Sequence, residues 1–592
     1  MGVPSFFRNI VKEYSGVTFW EKDKYIDHFF IDFNAMIYNV IRHIEGTDKM
    51  TSFEFENALL KTTLLQLENV ITKIVKPQKS LLIAMDGPPP RAKMIQQRHR
   101  RYKGIKEAEF HHSLERKYNQ NIRKLNWNKS AISPGTVFMK RLSDRIVTAI
   151  KTGNFNTHIL SGKQFEITFS DSSVPGEGEH KILPLIHNLK SDNCGDSIAI
   201  YSPDADMIVL SMITHKSDIF IFKENEQDKS ILGDDGNKTE FLYLSVDRCR
   251  EGFLSELYEK YEIEGMEPIE ISDRFLIDYS FLTFLCGNDF VIAIPYLKMK
   301  EGGMETLLEI YNDVFEGKFL VNEKFELNWD LFKLIIQKLA DIELREFKKI
   351  QRKRDRIRRK PITEESKKVP KRSEFEPWLD EYSRFEHEYY YSPLHPHFET
   401  VNKLFDKLDY YKDNWRQRYN NHFFEGSNVK SGIICEDYVK SLIFCLEYYL
   451  NGIPSWDYFY PHRAAPTFSD LNDWLILPES QPKLDFKFVL GKPFTQFEQL
   501  LLVLPKISFG LLPKPLRKLP MGLEQDSFPT QFDLDVLLGE KYIYSEPILP
   551  DVNPSRIRQF VSDNLELLSD GERLRNTISN EPMKIIKKGR RR

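Results

Sequence analysis

Long apolar runs are missing from this chain. No stretch approaches the roughly 18 residues that a bilayer-spanning helix needs, so no segment is expected to cross a membrane. The first residues lack the basic, apolar and small-residue succession of a secretory leader. Gly2 follows Met1, but Phe6 stands where a myristoylation signal wants Ser or Thr. Cysteine is scarce as well. The five cysteines (Cys194, Cys249, Cys286, Cys435 and Cys445) show no zinc-site spacing, and their odd count speaks against a disulfide framework. Reduced thiols in an intracellular protein are expected, cytoplasmic rather than nuclear. Finally, no charge sign dominates: 84 Lys and Arg stand against 87 Asp and Glu, a net charge of −3. Bulk charge therefore does not announce a nucleic-acid binder, and any such surface must come from how the charges are distributed.

What is present supports large folded cores. Hydrophobic residues make up 41% of 592 residues, and aromatic residues 13%, which excludes global disorder. Apolar strand candidates fall at 28–32, 81–85, 166–170, 197–202 and 218–222, with helical stretches between them at 54–75, 92–125 and 137–152. Strands alternating with helices predict an α/β fold with a mostly parallel sheet flanked by helices. Further helices are expected at 304–316, 329–358, 397–411, 434–450 and 495–503. The chain divides on this reading into 1–330 (an α/β unit), 331–385 (a helical, basic linker or insertion) and 386–592 (a second region, mainly helical and rich in aromatics, with a basic C-terminal tail).

The carboxylates fall in a pattern. Asp32 ends the apolar run FFID, Asp86 ends LLIAMD, Asp204 and Asp206 follow IAIYSP, and Glu177 and Glu179 follow EITFS across a Pro-Gly turn. In a parallel sheet the carboxyl ends of strands open on one edge, where ligands bind. Asp289, in LCGNDF after an apolar helix, is a seventh candidate. A lone acid after a strand is ordinarily a loop residue or a helix cap. Recurrence at four strand ends is a different matter, because so many carboxylates cannot share a cleft ionised without counter-charge. Oxygen-only ligands favour Mg²⁺, with Mn²⁺ as a possible substitute, over Zn²⁺. Two such ions activate a water and stabilise the leaving oxygen of a phosphodiester.

Directly after Asp86 comes GPPPRAKMIQQRHRRYKG. Pro88 to Pro90 fix a turn that leads into a helix. Lys93, Gln97, Arg100 and Arg101 stand at i, i+4, i+7 and i+8, on one helix face. Such a run is ordinarily a solvated basic face. Its adjacency to Asp86 instead suggests a pocket for a terminal 5′-phosphate beside the metal acids.

The blocks MGVPSFFRNI, IDFNAMIY (31–38), MDGPPPRAKMIQQRHRR (85–101), VPGEGEHKI (174–182), DADMIVL (204–210), GNDF (287–290), GIPSWDYFYPHRAAPTFSDL (452–471) and KPFTQFEQLLLVLP (492–505) resemble the Xrn family of 5′→3′ exoribonucleases. The resemblance implies a PIN-like, flap-nuclease-like α/β core wrapped by a second region that narrows the entrance. It implies catalytic metal ligands at Asp32, Asp86, Glu177, Glu179, Asp204, Asp206 and Asp289, and a 5′-phosphate pocket at Lys93, Gln97, Arg100 and Arg101. It also implies single-stranded RNA with a 5′-monophosphate as substrate, two divalent ions, processive release of 5′-mononucleotides, and a monomer. There are departures. Tyr38 replaces the family's base-stacking His, and the second stacking residue, usually Trp, falls near Tyr542 or Tyr544. Val291 to Pro295 differ from the family's sequence after GNDF, so a drier pocket is expected there. No zinc knuckle and no long C-terminal extension is present. Trp456, Tyr458, Phe459 and Tyr460 are expected as an aromatic core joining the two regions rather than as an RNA platform. The competing functions are a structure-specific 5′ DNA nuclease and a catalytically silent RNA-binding scaffold.

Overall fold

The computed structural model describes residues 7, 10–11, 14, 16–44, 50–117, 127–189, 195–225, 231, 237–258, 268–359, 408–424, 431–477, 484–522, 525–535 and 545–588. Tyr542, Tyr544, Cys194, residues 360–385 of the expected linker at 331–385 and most of the expected helix at 397–411 lie outside them.

The strands are β1 (Thr18–Phe19), β2 (His28–Asp32), β3 (Ser80–Ala84), β4 (Gln164–Ser170), β5 (Ile198–Tyr201), β6 (Ile219–Glu224), β7 (Phe241–Ser245), β8 (Leu534–Asp535), β9 (Glu546–Pro547) and β10 (Met583–Lys588). Eight of them form one sheet in the order β1-β7-β6-β5-β2-β3-β4-β10, and β8 and β9 make a separate small ladder. The five central strands are parallel, while β7, β1 and β10 join antiparallel at the flanks. The expected α/β class with a mostly parallel sheet is therefore the observed one.

Successive residues of each central strand feed two different cores, as the period of two demands. Phe30, Leu82, Ile200 and Ile221 belong to one apolar cluster. Phe29, Ile31, Ile83, Ala199 and Phe222 belong to another on the opposite face. Both faces are covered, which explains why these strands read as nearly unbroken apolar runs. On the second face lie the helices Ser52–Asn69, opened by a Thr51/Glu54 capping box, and Val137–Thr152, capped by Thr136 and closed by Gly153 at φ 77°.

The first core does not stop at the sheet. It runs through the helix Pro268–Leu285 into Trp329–Arg359, Ser431–Leu450 and Phe468–Leu475, so residues of the N-terminal and C-terminal halves share one apolar interior. A third cluster joins Met94 to the helices Gln496–Val503 and Pro554–Asp563. Tyr460 is buried, Tyr458 packs on Phe444 at 4.8 Å, and Arg91 lies 4.0 Å over the Phe459 ring, so this stretch joins elements rather than offering a free platform.

One expectation needs correction. Residues 584–588, read as part of a basic tail, are strand β10, paired with β4 from Met583↔Phe169 to Lys588↔Gln164. Met583 and Ile585 turn toward the second core while Lys584, Ile586 and Lys588 are exposed. The lysines sit on the outer side of an edge strand, a usual way of blunting a sheet edge. Among the described residues no helix is long and apolar enough to cross a membrane.

Candidate active site

The strand order creates the site. The chain runs from β2 outward through β3 and β4, then returns to the other side of β2 with β5 and β6. Connections leave β2 and β5 in opposite directions, and their carboxyl ends form the crevice where open α/β sheets bind ligands. Asp32 closes β2, Asp86 follows β3, Glu177 and Glu179 follow β4, and Asp204 and Asp206 follow β5. These four strands are immediate neighbours.

Backbone contacts fix the loops that carry the acids. The Gly87 N–H donates to the Gly176 carbonyl at 2.9 Å, and the Gly176 N–H donates to the Pro88 carbonyl at 3.0 Å. A Cβ on Gly87 would lie 1.8 Å from the Val174 carbonyl oxygen, so only glycine lets the two loops meet. A Cβ on Gly178 would sit 2.4 Å from Asp32 Oδ1, and the same residue's N–H donates to Asp86 Oδ1 at 2.9 Å. Gly178 is thus the point where three acid-bearing loops converge. Asn34 Nδ2 donates to Asp86 Oδ2 at 2.8 Å, and Ser202 Oγ donates to Asp32 Oδ2 at 3.3 Å.

All seven expected acids form one electrostatic set. Burial, followed by repulsion from Asp86, Asp204 and Glu177, drives the Asp32 carboxyl well above its ordinary range. Glu179 is driven well above it by burial, with Glu177, Asp206 and Asp204 adding repulsion against the pull of Lys93. Glu177 is raised by burial, partly offset by Lys93. Asp289 goes the other way: burial would raise it, but the attraction and hydrogen bond of Lys93, with Arg100 among the further cationic contributions, hold it low. The Lys93 ammonium lies 2.9 Å from Glu177 Oε1 and 2.7 Å from Asp289 Oδ2. Burial disfavours that ammonium, yet Asp289, Glu177 and Glu179 together hold its pKa well above the usual lysine value. Hard oxygen donors, buried together with mutual repulsion, fit a hard divalent cation. Ligand atoms of Glu177, Glu179 and His180 all lie within 4.8 Å of one another, close enough to share an ion.

The basic residues lie on the helix Arg91–Lys117, which starts five residues after Asp86. Its two faces do different things. Arg91 donates to Asp551 at 3.1 Å, Arg98 donates to the Pro550 carbonyl at 2.7 Å and to the Ser527 carbonyl, and Tyr102 packs edge-on to Phe532. That face docks Ser527, Phe532, Pro550 and Asp551. On the other face Gln97 Oε1 accepts from Gln499 Nε2 at 3.2 Å, Arg100 is exposed, and Arg101 Nη2 donates to Ser133 Oγ at 2.8 Å. Arg101 Nη1 is buried and has no hydrogen-bond partner, and burial pulls the guanidinium down to about 10. Tyr38, 36% exposed, lies close enough to Arg101 to interact with it electrostatically. Lys93, from the same helix, pairs with Glu177 and Asp289 and so sits between the basic face and the acids.

A family profile described as "XRN 5'-3' exonuclease N-terminus" matches residues 1–225, and one described as "Xrn1 helical domain" matches residues 270–382 and 381–591. The chain belongs to the Xrn family. It is 27% identical to "5'-3' exoribonuclease 1" of Homo sapiens over 98% of this chain and 35% of that protein. It is 25% identical to "5'-3' exoribonuclease 1" of Saccharomyces cerevisiae over 98% of this chain and 44% of that protein. It is 25% identical to "5'-3' exoribonuclease 2" of Arabidopsis thaliana over 99% of this chain and 69% of that protein. This Xrn chain therefore spans about a third to less than half of the length of the first two relatives.

Several contacts of this Xrn site were not expected from sequence. Tyr448, from the helix Ser431–Leu450, donates its hydroxyl to Glu177 Oε2 at 3.2 Å. Its ring centroid lies 3.8 Å from that of His180. Lys181 donates to the Met85 carbonyl at 2.5 Å and to the Asp171 carbonyl at 3.0 Å, tying the ends of β3 and β4 from below. Burial lowers its ammonium to about 7, against the pull of Asp86 and Asp171. His180 and Lys181 belong to the GEGEHK block, which signals their presence but not their partners. Tyr448 carries no local signal, since it reaches Glu177 across 271 residues.

Proposed function

We propose that this Xrn chain degrades single-stranded RNA from a 5′-monophosphate end, processively, releasing 5′-mononucleotides. The carrying observation is the contact between the acid set and the basic helix: Lys93 bridges Glu177 and Asp289, and Arg101 follows two helical turns later with a buried, unpartnered Nη1. Residues 1–330 act as the nuclease unit, residues 386–592 narrow its approach, and the chain works as a monomer on this reading.

Asp32, Asp86, Glu177, Glu179, Asp204, Asp206 and Asp289 hold the divalent ions, Mg²⁺ with Mn²⁺ as substitute and two in number. The ions supply Lewis acidity, making an attacking water more acidic and stabilising the departing 3′ oxygen. Asn34, Ser202 and the Gly178 N–H orient Asp32 and Asp86. Arg101, Arg100, Gln97 and Lys93 grip the terminal phosphate, which sets the cut one nucleotide from the end. The exposed Tyr38 ring offers a sequence-tolerant stacking face, worth about 1–3 kcal/mol per base. Tyr542 or Tyr544 completes the stack on this reading. Each cut leaves a new 5′-phosphate for the same pocket, so processivity needs no motor.

The test is digestion of end-labelled single-stranded RNA and DNA carrying 5′-monophosphate, 5′-triphosphate or 5′-hydroxyl, with Mg²⁺ or with a chelator. Mononucleotides should appear from 5′-monophosphate RNA with Mg²⁺ alone. Preferred cutting of branched DNA would move the assignment to a structure-specific DNA nuclease, and RNA binding without any cleavage would make the chain a scaffold.

A further inference from the structure

The mechanism above leaves one buried group at the site without a task. The His180 side chain is 6% exposed, and neither ring nitrogen makes a well-formed hydrogen bond; its nearest polar neighbours are Glu179 Oε1 at 3.5 Å and the Tyr448 main chain. Leaving a buried polar atom poorly paired is costly, so a fold that keeps one calls for an occupant. The ring faces the acids: its Nδ1 lies 3.5 Å from Glu179 Oε1, close to the edge of a tetrahedron drawn around one ion with bonds of about 2.0–2.2 Å.

We propose that Glu177, Glu179 and His180 form an inhibitory site for a borderline transition-metal dication, Zn²⁺ in the first instance, with the His180 imidazole as its nitrogen ligand. The three ligand atoms already lie within 4.8 Å of one another. Mg²⁺ prefers an all-oxygen octahedron and gains little from an imidazole, whereas Zn²⁺ takes nitrogen and carboxylate oxygen together with few ligands. The surroundings resemble the outer support of a zinc site. Tyr448 packs on the His180 ring with its main chain against it, and its hydroxyl donates to Glu177 Oε2. Lys93 is the competitor. A dication on Glu177 must displace that ammonium, which keeps Asp289 as its partner.

Inhibition follows because one ion would draw Glu177 and Glu179 together, away from the shared acid set. This inhibitory part rests on the nuclease reading above; the binding part does not. The experiment uses the full chain, stripped of metal, titrated with zinc chloride against a chromophoric chelator in the absence of RNA. The first equivalent should bind here, and X-ray absorption of the 1:1 complex should show a single imidazole in the zinc shell. His180→Leu should weaken zinc binding at least about tenfold, since even outer-shell changes weaken metal sites by that much. An oxygen-only zinc shell, or equal affinity in His180→Leu, overturns the proposal. Should the variant not fold, the absorption spectrum of the natural chain decides alone. In the digestion assay, zinc added over excess magnesium should stop turnover at a half-inhibiting concentration that rises at least tenfold in His180→Leu. A chain that never digests RNA would refute the nuclease reading while leaving the zinc spectrum to judge this site.

Discussion

Asp278 and Glu343 are as deeply buried as Glu177 and Asp206, at 1% and 0% exposure against 7% and 5%, yet their surroundings differ in kind. Asp278 accepts from the Tyr311 hydroxyl and the Leu320 N–H at 2.6 Å and from the Val321 N–H at 2.8 Å. Glu343 accepts from the Phe468 N–H at 2.7 Å, the Ser469 N–H at 2.9 Å and the Ser469 hydroxyl at 2.6 Å, capping the helix Phe468–Leu475 from another element. Glu177 and Glu179 instead face other carboxylates and one ammonium. The arginines of the basic helix divide in the same way. Arg98 is anchored by two backbone carbonyls although its Nε has no partner, while Arg101 has only the Ser133 hydroxyl and keeps a buried Nη1 with no partner. Burial alone therefore does not separate structural charges from functional ones. The separating feature is whether the fold supplies the complementary groups itself or leaves them for something that binds.

This contrast can be broken experimentally. Asp206→Ala should lower turnover by roughly three orders of magnitude or more, the scale seen when a preorganised electrostatic element is removed, while RNA binding persists. Full activity in that variant would end the metal assignment. Asp278→Ala should leave three buried donors without an acceptor and destabilise the fold by about 3–5 kcal/mol, read by denaturant unfolding. The acid set should behave oppositely: without metal, Asp206→Ala should be no less stable than the natural chain, because like-charge repulsion is relieved. Mg²⁺ at a hundredfold over its dissociation constant should stabilise the natural chain by about 2.7 kcal/mol, and Asp206→Ala should lose most of that response in a melting experiment. Arg101→Ala should erase the preference for 5′-monophosphate over 5′-hydroxyl RNA. Arg98→Ala should lower stability and leave that preference in place, and the same loss in both would collapse the distinction between the helix faces.

A further expected effect concerns pH. Burial, opposed by their donors, raises Asp278 and Glu343 to about 7. The folded chain then holds protons that the unfolded chain has released, so stability is full below the ordinary carboxylate range and falls as pH rises to about 7. For a chain of this size the melting temperature of the metal-free protein should drop by a few degrees across that window. Asp278→Asn should flatten part of the slope, and an unchanged slope would remove Asp278 from the account.

The acid set was legible because it recurs: four apolar runs each end in carboxylates, and a parallel sheet aligns its strand ends. The helix face was legible from i, i+4, i+7, i+8 spacing. What stayed hidden was pairing over distance. Spacing cannot tell that Lys93 pairs with Glu177 and Asp289 while Arg101 keeps an open donor, or that Arg91 and Arg98 on the back of the same helix anchor Ser527, Pro550, Asp551 and Val552. The short β7 escaped notice, and β10 read as a tail because half of its six residues are lysines. Its alternation of exposed and half-buried positions is the signal that was there.

The pairing of β10 with β4 also orders events in time. Asn156 donates to the Lys588 carbonyl across 432 residues, so this edge closes only after nearly everything between has been synthesised. Until then β4, the strand leading to Glu177 and Glu179, presents unpaired main-chain groups, and contacts this far apart in sequence form slowly. A ribosome that stops early would release a chain with an adhesive margin beside an unfinished acid crevice, a product suited to aggregation or disposal rather than to unsupervised cutting.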